Sequence, residues 1–129
     1  MFAGLNACEL LDRLNEGQGF RPGRNISKRN ECTATKMEYG ANGLALDPAQ
    51  GLQEFQAENP GATETTVNGR KALQAKGTSG ACSTAIEIGP QARVLADVVM
   101  ASAHDDDKAC PESQALAERV EPLLPKPPS

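Results

Sequence analysis

Four cysteines constrain this chain more than any other feature, because little else in its interior can hold a fold of 129 residues together. The chain has three Phe, one Tyr and no Trp. Its core must therefore consist of Leu, Val, Ile and Ala side chains, each of which buries less area than an aromatic ring. An even number of cysteines without a Cys-x-x-Cys pair is typical of two disulfides rather than of a zinc site. The four positions are Cys8, Cys32, Cys82 and Cys110.

Four cysteines allow three pairings, and their spacing does not choose among them. We favour a first bridge between Cys8 and Cys32, which leaves Cys82 to pair with Cys110. Each bridge would tie the start of a helix to a strand in its own half of the chain. A redox-active pair is the alternative, but no cysteine adjoins a second thiol. Because disulfides persist outside the reducing cytosol, the cysteines predict an extracytoplasmic protein.

Residues 80–102 hold the only sustained β-branched run and are predicted to form a hairpin at the centre of a sheet. Gly89–Ala92 contains Gly and Pro, which punctuate a turn between the two arms. Alternate residues of the second arm are apolar, and Leu95 and Val99 lie between them, so we interpret this arm as apolar on both sides. A strand of that kind suits the middle of a sheet. In the first arm one face carries Cys82, Thr84, Ile86 and Ile88.

The remaining patterns predict three helices and further strands. A first helix spans residues 5–14, with Asn6 as its cap. Asn68-Gly69 is a strong signal for a second hairpin, because both positions tolerate positive φ. The other predicted strands are 31–39 and 44–46, separated by a turn at 40–43, and the arms 63–67 and 70–75 of the second hairpin. The other predicted helices begin at Asp47-Pro48 and at Cys110-Pro111. Pro122 should kink or stop the last one, whose inward face is Ala115, Leu116, Val120 and Leu123.

These elements predict the α+β class, a twisted antiparallel sheet of about six strands with three helices packed on it and two disulfides. Tight turns between consecutive strands require antiparallel neighbours. We expect a single extracytoplasmic domain over residues 1–125, followed by a disordered, Pro-rich tail at residues 126–129.

Charge and hydropathy exclude some classes of partner. A net charge of −4 argues against nucleic-acid binding, which requires a basic surface. No apolar segment reaches the roughly 18 residues that a membrane-spanning helix needs. Residues 1–4 lack the charge and apolar length of an export signal, so we expect a mature or trimmed ectodomain whose leader is not included.

The loop from residue 21 to residue 29 concentrates positive charge and is the candidate for anion binding. A solvated surface loop is the competing interpretation of such a cluster. Its basic residues are Arg21, Arg24, Lys28 and Arg29.

His104 is the only histidine and the one residue around which a hydrolase could be imagined, with Ser102 and Asp105 beside it. Neighbours along one loop do not supply the geometry of a catalytic triad. The acidic run 104–107 lacks the glycine and the spaced carboxylates of a calcium loop, so we interpret it as a solvated acidic turn. We therefore expect no catalytic residue, no metal site and no cofactor.

The order of these features resembles a family of actinobacterial envelope lipoproteins that is known only as a domain of unknown function. Such proteins have a cysteine followed by paired leucines in a short helix, then a cysteine on the next strand and a Val-x-Gly segment. A third cysteine opens a strand, and a fourth starts a closing helix that ends in Leu-Pro. The corresponding residues here are Cys8–Leu11, Cys32, Val67–Ala72, Cys82–Ile86 and Cys110–Pro125.

This resemblance implies a signal peptide and a lipidated cysteine upstream of the chain, and therefore attachment to the outer face of the cell membrane. It implies no reaction and supplies no active site. We expect a non-enzymatic domain that binds an envelope ligand or protein through its sheet or its basic loop. A structural or accessory subunit of a membrane-associated complex is the alternative, and a cryptic hydrolase around His104 is a third.

Overall fold

A computed structural model describes residues 2–126 of the chain. Within that range it contains one six-stranded antiparallel sheet, three α-helices and two disulfides, which confirms the predicted α+β class. Apart from Lys126, the predicted tail lies outside the described residues. The strands are β1 (Glu31–Lys36), β2 (Gly40–Asp47), β3 (Thr63–Val67), β4 (Arg70–Lys76), β5 (Ala81–Gly89) and β6 (Ala92–Met100). The helices are α1 (Ala7–Asn15), α2 (Leu52–Glu58) and α3 (Ala109–Val120), with 3-10 turns at Ala103–Lys108 and Glu121–Leu123.

The predicted central hairpin is confirmed as β5 and β6. The strand order is β1-β2-β6-β5-β4-β3, so β6 lies between β2 and β5 in the middle of the sheet. The second hairpin is also confirmed, and it turns at Asn68 (φ 53°) and Gly69 (φ 84°). Both residues have the positive φ that this type of two-residue turn requires.

The two faces of the sheet are covered unequally. On the first face, α1 packs against β1 and β2, and α3 packs against β5 and β6, over a core of aliphatic side chains. On the second face, α2 packs Leu52 and Phe55 against Leu73, Ala75 and Ala85 of β4 and β5. The second face therefore stays open over β1, β2 and part of β6. Among residues 2–126, no helix is long and apolar enough to cross a membrane.

Both predicted disulfides are confirmed. Cys8 is bonded to Cys32, which ties the first turn of α1 to β1, and Cys82 is bonded to Cys110, which ties β5 to the first turn of α3. Disulfides of this kind indicate an oxidising, extracytoplasmic compartment.

The turn between β1 and β2 was predicted at residues 40–43, and that prediction is wrong. The turn occupies residues 37–39, and Gly40 already belongs to β2. A Cβ atom at Gly40 would lie 2.0 Å from the carbonyl oxygen of Val99 on β6. This glycine therefore marks a close approach of two strands rather than a turn.

The predicted start of helix α2 at Asp47 is wrong, because the helix begins at Leu52. The Asp47 carboxylate does accept hydrogen bonds from main-chain N–H groups, those of Ala49 (2.9 Å) and Gln50 (3.1 Å), but these close a turn after β2. The helix starts only after Gly51, where a Cβ atom would lie 2.4 Å from the carbonyl oxygen of Pro90. The chain must pass close to the β5–β6 turn before the helix can begin.

The inward face of α3 is shifted from the prediction. Ala115 is exposed, whereas Leu116 and Val120 are buried as expected and Leu123 is partly buried. The sequence pattern passed over Ser113, which is fully buried because its hydroxyl donates to the carbonyl of Ala96 on β6 (2.7 Å). The α-helix ends at Val120, so of the kink or stop predicted at Pro122 the structure shows the stop. The acidic run lies in a 3-10 turn.

Candidate functional site

A groove of about 670 Å³ lies at the open end of the second face, and its volume is typical of ligand sites. Ala45 of β2 and Leu95 of β6 are cross-strand partners and form its apolar floor. One wall is the 48–50 segment that leads to α2, and the other is the 28–31 segment that leads into β1. Phe2 also lines the groove.

Arg93 of β6 lies in the wall of this groove and is only 6% exposed. Its Nη1 donates to the main-chain oxygen of Gly51 (3.3 Å), and its Nη2 donates to the side-chain oxygen of Gln50 (3.1 Å). Its Nε is buried and has no hydrogen-bond partner among the described residues. A buried donor without a hydrogen-bond partner is costly, so this nitrogen calls for an explanation.

Two carboxylates form long ion pairs with Arg93. Oxygen atoms of Asp47 and Glu58 are 3.7 and 3.8 Å from Nη2. The other Asp47 oxygen already accepts two main-chain hydrogen bonds. Its negative charge is therefore directed to Arg93 and to the local turn rather than to the open groove.

The opposite wall presents Lys28 and Arg29, and both are exposed. The turn that carries them is ordered by Asn25, whose side chain donates to the Arg29 carbonyl (2.7 Å) and accepts from the Ser27 N–H (2.9 Å). Within residues 2–126 no hydrogen bond or ion pair engages the side chain of Lys28 or Arg29. The loop therefore holds two free cationic groups beside the groove.

The structure brings together only part of the predicted basic cluster. Lys28 and Arg29 line the groove, and Arg24 lines an adjoining depression of about 220 Å³ with Glu31 and Asp97. Arg21 lies beside the far end of β1, and its main-chain N–H donates to the carbonyl of Thr35 (2.8 Å). The four residues follow the edge of the sheet and do not converge on one point.

The interpretation of β6 as apolar on both sides is wrong. Arg93 and Asp97 alternate with Leu95 and Val99 on the second face. Asp97 is partly buried, and the Ser83 hydroxyl donates to it across the β5–β6 pair (2.5 Å). Burial raises the pKa of Asp97 above its usual value, and the charge of Glu31 adds to this; the hydrogen bond from Ser83 and the charge of Arg93 act in the opposite direction.

We expect the Asp97→Asn variant to be more stable than the wild type at pH 7 and equally stable near pH 3. The raised pKa means that the folded protein holds this proton more tightly than the unfolded chain does. Protonated Asp97 therefore contributes its full stabilisation below the pKa that this residue has in the unfolded chain. That contribution is lost as the pH rises through the pKa of Asp97 in the folded protein. Urea unfolding at several pH values measures the difference. Asp107→Asn, at an exposed site, is the control, and a D97N variant less stable than wild type at pH 7 would contradict the assignment.

The residues considered for a hydrolase lie on the other side of the fold, around the 3-10 turn before α3. The Ser102 hydroxyl accepts a hydrogen bond from the main-chain N–H of His104 (3.3 Å) and so caps that turn. Asp105 pairs with Lys108 at 3.1 Å on the surface. In the described part of the chain, no group of three His, Cys, Asp or Glu residues is placed to hold a metal ion.

A second groove, of about 570 Å³, lies between the end of α2 and β4 and is lined partly by Cys110. Its charged residues, Glu58 and Lys76, are both exposed. The groove beside Arg93 differs because it combines an apolar floor, a buried arginine whose Nε has no partner among the described residues, and free cations at the rim. It is the better candidate on chemical grounds.

Comparison with family models, with curated proteins and with solved structures finds no match for this chain. The geometry of the groove therefore carries the functional argument alone. The sequence analysis did not identify Arg93 as a site residue. The available signal was the presence of two charged residues, Arg93 and Asp97, in an otherwise apolar central strand.

Proposed function

We propose that this protein is an extracytoplasmic binding domain that acts without catalysis and holds its ligand in the groove beside Arg93. The observation that carries this proposal is the buried guanidinium of Arg93. It lies in the wall of an open groove with an apolar floor, and its Nε has no partner among the described residues. The two disulfides support an oxidising compartment. Attachment through a lipidated cysteine upstream of this chain completes the proposal and rests on the family resemblance.

The groove is tested by filling it. Ala45→Trp places a large ring on the groove floor, and Ala41→Trp places the same ring on the same face of β2, four residues away. Both positions are partly exposed, so the two variants carry a similar packing cost. Wild-type protein and both variants, with disulfides intact, are incubated with native envelope extract, and the retained small molecules are identified by native mass spectrometry.

We expect the wild type and Ala41→Trp to retain the same compound, and Ala45→Trp to lose it. Circular dichroism spectra that coincide for the three proteins show that the loss is local. If Ala45→Trp retains the compound as the wild type does, or if the wild type retains none, the groove is not the binding site.

The lipid anchor requires a separate test on the natural full-length protein. A lipid-anchored protein should stay with the membrane through a high-salt wash and should be cleaved by protease added outside intact cells. Release by salt alone would contradict the anchor and leave the groove proposal untouched.

The accessory-subunit alternative is favoured by the uncovered part of the second face, where Val99 is 44% exposed beside Ala41 and Ala81. A protein partner on this surface would be displaced by Ala41→Trp and not by Ala45→Trp. The same pair of variants therefore separates the two functions.

A further inference from the structure

We propose that the ligand of this groove is an anionic amphiphile, with one acidic head group on an apolar chain; this rests on the proposed function and names its ligand class. The apolar part of the argument is the floor. Ala45 and Leu95 line the groove from the sheet, and Pro48, Ala49 and Phe2 line it from the sides. A wholly polar ligand would leave this surface without a complementary partner, whereas an alkyl chain would remove it from water.

The acidic head group follows from the charges that remain free at the rim. Lys28 and Arg29 are exposed, and no ion pair within residues 2–126 involves them. The buried Arg93 lies behind the groove, and the carboxylates of Asp47 and Glu58 near it offset its charge, so the free positive charge of the lining is that of Lys28 and Arg29. Of the acidic side chains in the lining, Asp47 is turned to Arg93 and to its own main-chain partners. An Arg and a Lys side by side suit a carboxylate or a phosphate ester, which Arg can bind with two parallel hydrogen bonds.

Glu31 gives the ligand a direction. It is the other acidic residue of the lining, and it lies where the groove meets the depression that contains Asp97. Like charges repel, so the head group should lie against Lys28 and Arg29 and away from this end. Removal of the Glu31 charge should then tighten binding of an anion and leave binding of a neutral analogue unchanged.

Three probes separate the parts of the proposal: decanoate, decanol and acetate. Decanoate has both the chain and the charge, decanol has the chain alone, and acetate has the charge alone. By isothermal titration calorimetry of the disulfide-bonded protein, we expect decanoate to bind roughly tenfold more tightly than decanol, which corresponds to about 1.4 kcal/mol. We expect no measurable heat with acetate.

Charge-removing variants test the residues. The double variant Lys28→Ser with Arg29→Ser should bind decanoate about as weakly as decanol and should leave decanol binding unchanged. The matched control is Lys71→Ser with Arg13→Ser, which removes the same net charge from exposed positions away from the groove and should leave decanoate binding unchanged. Glu31→Gln should strengthen decanoate binding by a few-fold, as expected for one partly exposed charge.

Each other result overturns the proposal in a distinct way. Equal affinity for decanoate and decanol, or no effect of the Lys28 and Arg29 substitutions, removes the acidic head group. Acetate binding as tight as decanoate binding removes the apolar chain. If none of the three probes binds, the ligand is not an anionic amphiphile. The groove is still supported as a binding site if the wild type retains another compound that the Ala45→Trp variant does not retain. A groove function without an anionic amphiphile is therefore distinguishable from no groove function.

Discussion

Reduction of both disulfides is expected to unfold this protein at room temperature. The bridges join residues 24 and 28 positions apart. In the chain-entropy model, loops of that length contribute roughly 3.5 kcal/mol each to stability. Together they contribute about 7 kcal/mol, against a total of about 5–15 kcal/mol for a typical domain. The core cannot offset the loss easily, because it is built mainly from small aliphatic side chains.

Thermal unfolding followed by circular dichroism, with and without excess reductant, measures this effect. Two variants that each lack one bridge measure the contribution of each disulfide separately: Cys8→Ala with Cys32→Ala, and Cys82→Ala with Cys110→Ala. Since the loops are similar in length, each variant should lose about half of the total. A melting temperature that does not change in reductant would refute the prediction, and it would also remove the main support for an oxidising compartment.

Local sequence signals predicted the central part of the fold correctly. Alternation in β5, the Gly-Pro turn that follows it and Asn68-Gly69 each act over a few residues, and the structure agrees with these three predictions. The disulfide pairing was a preference among three possibilities, chosen because each bridge would join a helix start to a strand in its own half of the chain, and the structure confirms it.

The errors arose where a distant part of the chain decides the local conformation. Gly40 is a typical turn residue in sequence, but in the structure it is needed for the close approach of β6. Asp47 is a typical helix cap, but Gly51 must first pass beneath Pro90. Local sequence propensity cannot predict either contact, because each is made with a residue far away in the sequence.

The candidate site was only half predictable. Lys28 and Arg29 belong to a basic loop for which the sequence left two interpretations open, anion binding or a solvated surface, and it gave no reason to separate them from Arg21. The groove itself depends on α2 covering only part of the second face, which no local pattern reports. Arg93 becomes informative only when its burial and its missing partner are known.

A buried ion pair at the end of α3 should be the most sensitive site outside the disulfides. Arg70 of β4 donates through Nε and Nη2 to a Glu121 oxygen (3.2 and 3.0 Å), and both side chains are largely buried, at 7% and 12% exposure. Nη1 of Arg70 also donates to the carbonyl groups of Glu87 and Pro125. The pair thus joins β4, β5 and the segment that follows α3.

Burial alone would raise the pKa of Glu121, but hydrogen bonds from Asn68 and Arg70, with the charges of Arg70 and Lys126, lower it below its usual value. The charged form is therefore favoured by folding. This contribution to stability is present above the unfolded pKa and is lost as pH falls through the folded pKa.

We expect Arg70→Met to destabilise the protein by about 3 kcal/mol at pH 7, because it leaves the Glu121 carboxylate buried without its partner. The double variant with Glu121→Leu should recover much of the loss, since an apolar pair of similar volume has no charge to desolvate. Asp105→Asn breaks the surface pair with Lys108 and is the control, with an expected effect of about 0–1 kcal/mol. Urea denaturation measures all three. A loss for Arg70→Met no larger than that of the surface control would mean that this junction contributes little and that the C-terminal segment is held by Leu124 and its apolar neighbours instead.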